Sequence, residues 1–108
     1  RVVIELPLSD QVTQQQGLFH GGAIGAIGDS AGGYAVLTLL PAASEVVTIE
    51  YKLNFVRPAR GSLLSAEGRV LRAGKSITVA RIDVDCVDDA GNAQTCALLQ
   101  ATFMRVAT

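Results

Sequence analysis

The chain has 108 residues and a formal net charge of −1, with 49% hydrophobic and 18% charged residues. This length and composition predict one globular domain, residues 1–108, rather than a disordered chain. The near-neutral charge argues against nucleic acid as a partner, and the absence of a signal-peptide pattern at the start leads us to expect a cytoplasmic protein.

Residues 2–6 form the first predicted strand, and the segment from His20 to Leu40 reads as a long apolar helix rich in small residues. Asp29 is the one charged residue in that segment. Because no Lys or Arg lies between Arg1 and Lys52, Asp29 has no helical partner three or four residues away. A central Asp also argues against a membrane span. The sequence therefore predicts a helix packed on a sheet, with a carboxylate that is either catalytic or a structural hydrogen-bond hub.

Four long strands are predicted after Pro41, which cannot continue the helix. The first of them alternates polar side chains with the apolar residues Val47, Ile49, Tyr51, Leu53 and Phe55. The others span residues 62–72, 78–86 and 94–106. One helix followed by hairpin-linked strands indicates an α+β fold with an antiparallel sheet. Because the edges and the far face of such a sheet need cover, we expect a homodimer or a dimer of dimers.

The two cysteines, Cys86 and Cys96, lie symmetrically about Gly91 in the last predicted hairpin. In a symmetric register they would face each other, so a disulfide is sterically conceivable. Buried free thiols are the alternative in a reducing compartment. Neither cysteine has a Cys or His partner at zinc spacing, and we expect no metal site.

Three features occur together in this chain: the His20-Gly21-Gly22 motif, Asp29 nine residues after the His, and an F-x-R-P motif at residues 55–58. Together with the strands that follow, they resemble the hotdog-fold acyl-CoA thioesterases, most closely the phenylacetic-acid-degradation type, over residues 14–105. The resemblance implies a hotdog fold, in which an antiparallel sheet wraps around a long central helix. It also implies hydrolysis of an acyl-CoA, without a cofactor because coenzyme A is part of the substrate.

The resemblance also assigns roles to residues. Asp29 matches the catalytic aspartate, which acts as general base or nucleophile, and the backbone N–H of Gly21 matches the oxyanion donor at the helix N-terminus. His20 is expected to orient the loop or the carbonyl group. Gln14 stands where related enzymes commonly carry an Asn, and a solvated loop is its alternative interpretation. Thr48 matches a position that orients the attacking water, and the alternative is that it is a good strand former.

The substrate is expected to contact Phe19 and Gly22, and the few large aromatic residues leave room for an aryl or medium-length acyl group. The phosphates of coenzyme A require basic groups or backbone donors at the pocket mouth. The candidates are Arg57, Arg60, Gly74, Lys75 and Ser76. In hotdog dimers the pocket lies between protomers, so the resemblance implies that Asp29 of one chain and basic residues of the other share a site.

Two other functions remain open. A hydratase or dehydratase of acyl thioesters would pair a catalytic His with an acidic residue in a different glycine- and proline-rich signature, which is not found in this sequence. A non-catalytic acyl-CoA-binding module would tolerate Gln14 in place of Asn. Asp29 argues against that module, because a binding pocket gains nothing obvious from an unpaired carboxylate. The fold alone does not separate these functions.

Overall fold

The computed structural model describes residues 1–9 and 19–106, which form one α-helix and five β-strands. Strand β1 (Val2–Pro7) precedes helix α1 (Gly21–Leu37). Four strands follow: β2 (Glu45–Phe55), β3 (Leu63–Ala73), β4 (Ile77–Val87) and β5 (Ala93–Val106). Neighbouring strands are antiparallel, in the order β1-β3-β4-β5-β2. The predicted α+β arrangement, one long helix against an antiparallel sheet, is confirmed.

Helix α1 lies directly on the sheet because its buried face carries small residues. A side chain at Gly28 would come within 2.9 Å of both terminal methyl groups of Leu99, and one at Gly32 would come within 2.9 Å of Ile82. Glycine weakens a helix by about 1 kcal/mol relative to Ala, and here it allows the close contact with β4 and β5. The helix ends at Leu37, earlier than predicted. Within the described residues, no helix is long and apolar enough to cross a membrane.

The core between the helix and the sheet follows the predicted alternation on β4. Every second residue of this strand faces the helix and is buried, namely Thr78, Ala80, Ile82, Val84 and Cys86. Leu64 of β3, together with Leu99 and Phe103 of β5, completes this layer. The period-two pattern of the sequence therefore identified the correct inner face of the central strand.

Strand β2 differs from its prediction because it contains a β-bulge. Its register with β5 shifts between Thr48 and Glu50, which leaves Ile49 as an extra residue. Because a bulge adds one residue, side chains on one side of it point to the opposite faces of the sheet from those that a regular strand would give. Val47 therefore lies on the outer face, whereas Thr48 and Tyr51 turn toward the helix. The prediction of one continuous apolar face from Val47 to Phe55 is wrong.

The β4–β5 hairpin is also offset from the symmetric register. Cys86 pairs with Gln94, and Cys96 lies at a second irregularity, where the register shifts between Val84 and Asp85. Both cysteines are buried and free. Of the two alternatives, the structure therefore has buried free thiols and not a disulfide. Burial raises the pKa of both thiols.

Candidate active site

One face of α1 carries two of the residues that the sequence analysis selected, Gly21 and Asp29. Gly21, Gly25 and Asp29 follow one another at intervals of four residues, so they lie about one helical turn apart on the same side. Strand β2 crosses this face in the opposite direction. It covers the three positions in turn with Phe55, Tyr51 and Thr48.

The carboxylate of Asp29 is held by a hydroxyl group. Thr48 Oγ1 donates a hydrogen bond to Asp29 Oδ1 over 2.8 Å. Asp29 is half-buried rather than buried, and among the described residues no side chain donates to its second oxygen, Oδ2. A carboxylate fixed through one oxygen can use the other as a base or a nucleophile. Thr48 is therefore not on the polar outer face, where the sequence placed it, because the bulge at Ile49 turns it inward.

The N-terminus of α1 is open. His20 precedes the first helical residue with φ −63° and ψ 139°, and its side chain makes no capping hydrogen bond. Its carbonyl oxygen accepts from the Ile24 N–H at 3.1 Å. The N–H groups of the first turn have no partner within the helix and lie at the positive end of its dipole. The Gly21 N–H thus suits an oxyanion, while the orienting role of the exposed His20 side chain stays a prediction.

A groove of about 420 Å³, in which most of the lining side chains are apolar, opens beside this helix end. It is lined by Phe19, Gly21, Ile24 and residues 55–59. The Phe19 N–H donates to the Ala59 carbonyl at 3.1 Å, which ties the segment before the helix to the β2–β3 connection. Three residues selected from the sequence, Phe19, Gly21 and Arg57, therefore meet in one groove.

The other predicted basic turn, Gly74-Lys75-Ser76, lies at the far end of the sheet. Strand β4 begins next to this turn and runs 11 residues to Val87, whose carbonyl accepts from Ser62 N–H near the groove. Eleven residues of strand span more than about 30 Å. Within one protomer, this turn therefore lies far from the groove. Arg60, in contrast, directly follows Ala59, one of the residues that line the groove. Gln14 lies outside the described residues.

Two aromatic side chains of the site were not selected from the sequence. The Tyr51 hydroxyl lies over Gly25, 2.9 Å from where a Cβ would stand, and the Phe55 ring lies 3.0 Å from the corresponding position on Gly21. Each ring occupies the space that the missing side chain leaves. The sequence did contain a signal for these two rings, because Gly21 and Gly25 are four residues apart and so are Tyr51 and Phe55.

A single long helix on a five-stranded antiparallel sheet in this order is the hotdog-fold architecture. Residues 16–93 match the family model described as Thioesterase superfamily. The chain therefore belongs to the thioesterase superfamily.

Curated relatives carry related descriptions. A putative esterase from Saccharolobus solfataricus is 38% identical over 88 residues, which cover 82% of this chain and 62% of that protein. The medium/long-chain acyl-CoA thioesterase YigI from Escherichia coli is 32% identical over 82 residues, which cover 64% of this chain and 53% of that protein. The chain thus spans less than two thirds of the length of either relative.

Solved structures share the whole architecture. A thioesterase family protein from Silicibacter pomeroyi superposes with a TM-score of 0.91 at 32% identity, over 99% of this chain and 79% of that one. A Bacillus halodurans protein crystallised with CoA has a TM-score of 0.87 at 27% identity, over 98% and 68%. The PaaI protein of Escherichia coli, at 24% identity, TM-score 0.81 and 97% and 72% coverage, shows the same fold. The predicted resemblance to hotdog-fold thioesterases is confirmed.

Proposed function

We propose that this chain hydrolyses acyl-CoA thioesters to a free acid and coenzyme A. The observation that carries the proposal is the hydrogen bond from Thr48 to Asp29, which fixes a half-buried carboxylate on the face of α1 that β2 crosses. The N-terminus of the same helix opens into a groove lined mostly by apolar side chains. Membership in the thioesterase superfamily and the similarity to YigI support the same reaction.

The proposed chemistry needs one carboxylate and one oxyanion donor. Asp29 either removes a proton from the attacking water or attacks the acyl carbon itself, giving an anhydride that water then cleaves. In both routes the C–S bond breaks, one water is consumed, and the sulfur leaves as the protonated thiol of coenzyme A. Water supplies the oxygen of the acid product directly when Asp29 is the base, whereas in the anhydride route that oxygen comes from water or from Asp29, depending on which carbonyl carbon water attacks. The Gly21 N–H stabilises the charge that develops on the carbonyl oxygen.

Gly21 and Asp29 of one chain lie too far apart to form one compact site. They are eight residues apart in the helix, which is about 12 Å along the axis. Both groups must lie about 3 Å from atoms of the same reacting thioester. A two-fold axis near Gly25, midway between them, would set two helices antiparallel and bring Gly21 of one chain to Asp29 of the other. We therefore propose a homodimer with two shared sites.

The exposed edge of β2 supports this dimer. In the sheet, β2 is an edge strand that pairs with β5 on one side. The strand and the helix beside it expose large apolar side chains, with Ile49 at 51%, Phe55 at 57% and Tyr34 at 59% exposure. An unpaired apolar edge invites pairing with another chain. Edge pairing with a second copy would cover this surface, and a further association would give the predicted dimer of dimers.

The groove at the helix N-terminus suggests the substrate class. Most of its lining side chains are apolar and suit an aryl or medium-length acyl group, with Phe19 and Gly22 at the helix start. Arg57 and Arg60 lie at this end and suit the phosphates of coenzyme A. In an antiparallel dimer, the Lys75 turn of the second chain comes to the same end of the assembly and can contribute to nucleotide binding.

We further propose that no cofactor takes part, since coenzyme A arrives with the substrate and the groups above provide base and oxyanion donor. Activity should survive exhaustive dialysis against EDTA, and its loss would contradict this proposal. The cytoplasm is the proposed compartment, supported by the free thiols of Cys86 and Cys96.

The test is the steady-state release of CoA thiol from a panel of aryl- and alkyl-CoA esters. Asp29→Asn keeps the shape of the side chain and should lower kcat by about 10²-fold or more. Asp89→Asn, at an exposed carboxylate in the β4–β5 turn, is the matched control and should leave kcat unchanged. A wild type that binds the esters but cleaves none would make this chain a binding module and overturn the proposal.

A further inference from the structure

The ring of Tyr51 lies over the middle of the helix face that carries Gly21 and Asp29. The Tyr51 hydroxyl oxygen is 2.9 Å, and its Cζ atom 3.7 Å, from the position that a Cβ on Gly25 would occupy. Gly25 lies about one helical turn from Gly21 and about one turn from Asp29. On β2, Tyr51 is the first residue after Thr48 that faces the helix. A molecule bound at Asp29 therefore has the Tyr51 ring as a close neighbour.

The Tyr51 ring packs on the helix without being enclosed in the core. Tyr51 is 43% exposed, whereas Phe103, which also packs on glycines of α1, is 2% exposed. The residue that pairs with Tyr51 on β5 is Ala101, and the residue below the ring on the helix is Gly25. Both neighbours are small, so the ring fills a space that no larger side chain could share. Its exposed part is therefore available to a substrate, and its removal would leave this space open.

We propose that Tyr51 determines the length of the acyl group that the site accepts, because its ring closes the site on the side of Gly25. This inference rests on the proposed hydrolysis, which brings the acyl carbonyl to Asp29. Without the ring, the space along α1 would continue from Asp29 across Gly25 toward Gly21, about 12 Å away along the axis. Aryl and medium-length acyl groups fit without this space, whereas a long alkyl chain needs it. In the proposed dimer, the two-fold axis near Gly25 places the Tyr51 rings of both chains between the two shared sites.

The absence of a side chain at Gly25 sets how closely the ring approaches the helix. A methyl group at this position would stand 2.9 Å from the Tyr51 hydroxyl oxygen, which is closer than ordinary contact, but 3.7 Å from Cζ, which is ordinary contact. Gly25→Ala should therefore push the ring away from the helix and into the space of the substrate. Removing the hydroxyl as well should let the ring return. Gly25 and the hydroxyl thus position the ring together.

The binding of S-alkyl-CoA thioethers tests the proposal separately from hydrolysis, because these compounds carry a CH2 group in place of the carbonyl and are not cleaved. Calorimetric titration gives the dissociation constants for a series from butyl to hexadecyl. Each methylene group that a site buries tightens binding about fourfold. The affinity of the wild type should therefore rise with chain length and stop rising where the chain reaches the ring. In Tyr51→Ala the rise should continue, and two or three further buried methylene groups should tighten binding of the hexadecyl thioether about 10- to 50-fold.

Three further variants serve as matched controls. Tyr51→Phe keeps the ring and should keep the chain-length limit of the wild type. Gly25→Ala should move the limit to shorter chains, and the double variant Gly25→Ala, Tyr51→Phe should restore it, because the new methyl group then meets no hydroxyl. The single and double variants carry the same methyl group on α1. Restoration in the double variant therefore cannot come from a change in the helix or in the association of chains.

A Tyr51→Ala variant whose affinities change by the same factor at every chain length would make Tyr51 a packing residue only and overturn the proposal. If this variant does not fold, the Gly25 variants decide, and equal chain-length profiles in the single and double variants would overturn it. A wild type that cleaves no acyl-CoA but binds thioethers with the expected limit would overturn the hydrolysis and support the role of Tyr51. A wild type that cleaves long and medium-length esters equally well would support the hydrolysis and overturn the role of Tyr51.

Discussion

Thr48 Oγ1 lies 2.8 Å from Asp29 Oδ1 and donates a hydrogen bond to it, although the two residues are 19 positions apart in the chain. The β-bulge at Ile49 produces this contact, because it turns Thr48 toward the helix while Val47 stays on the outer face. A local irregularity of an edge strand therefore gives the isolated helix carboxylate a hydrogen-bond donor.

Replacing Thr48 by Val should lower kcat for thioester hydrolysis by about 10- to 100-fold, since a hydrogen bond to a charged group contributes about 1.5–3 kcal/mol. KM should change little, because Thr48 contacts Asp29 rather than the groove. Thr48→Ser keeps the hydroxyl and should retain most of the activity. A Val variant that is as active as the wild type, or more active than the Ser variant, would mean that the methyl group, and not the hydrogen bond, matters.

Gly21→Pro should remove the oxyanion donor while keeping the helix. Proline lacks the N–H and is favoured at the first helical position, and the extended ψ of 139° at His20 suits a following proline. We expect kcat to fall by about 10²–10³-fold. Gly21→Ala places the same Cβ beside Phe55 but keeps the N–H, and should be far more active. A proline variant as active as the alanine variant would show that another group binds the oxyanion.

Mixing inactive chains should restore activity if each site combines Gly21 of one chain with Asp29 of the other. In a heterodimer of Gly21→Pro and Asp29→Asn chains, one site holds both intact groups and the other holds neither. Random pairing of equal amounts should give about one quarter of wild-type activity. Unfolding and refolding the chains together ensures exchange. If a mixture that is shown to contain heterodimers recovers no activity, each site takes its Gly21 and its Asp29 from the same chain.

Gly28→Ala should destabilise the fold by about 1–3 kcal/mol, because it forces a methyl group against Leu99 in a packed core. Gly22→Ala is the matched control on the same helix, since nothing lies within 4 Å of a side chain at that position. The control should be neutral or slightly stabilising, as Ala favours helix. Urea unfolding of both variants measures the difference, and equal stabilities would contradict the close contact between helix and sheet.

The buried thiols predict a loss of stability at high pH. Burial raises the pKa of Cys86 and Cys96 above the ordinary 9.0, so the folded state keeps the protons that the unfolded chain releases. Their contribution to the unfolding free energy is complete below the unfolded value and should decrease over the range above about pH 9. Urea titrations across this range measure the slope. The Cys86→Ala, Cys96→Ala double variant should show a shallower slope, and an unchanged slope would assign the effect to other groups.

The sequence predicted most of the fold because the information was local. Alternation on β4 identified Ile82 and Val84 as inner residues, and both are fully buried. The same reasoning placed Thr48 on the wrong face of β2. The β-bulge depends on how β2 pairs with β5, and no particular residue in the β2 sequence indicates it. The hairpin register of Cys86 was also wrong, because symmetry about a glycine does not set the pairing of strands.

The amino-acid sequence by itself determined that Asp29 stands alone on an apolar helix, that glycines begin that helix, and that antiparallel strands follow. These properties depend on residue type and short-range periodicity. Only the tertiary structure decided that Thr48 binds Asp29, that Tyr51 lies over Gly25, and that Lys75 is at the opposite end of the sheet from the groove. Such relations follow from strand register, where a shift of one residue exchanges the two faces of a sheet.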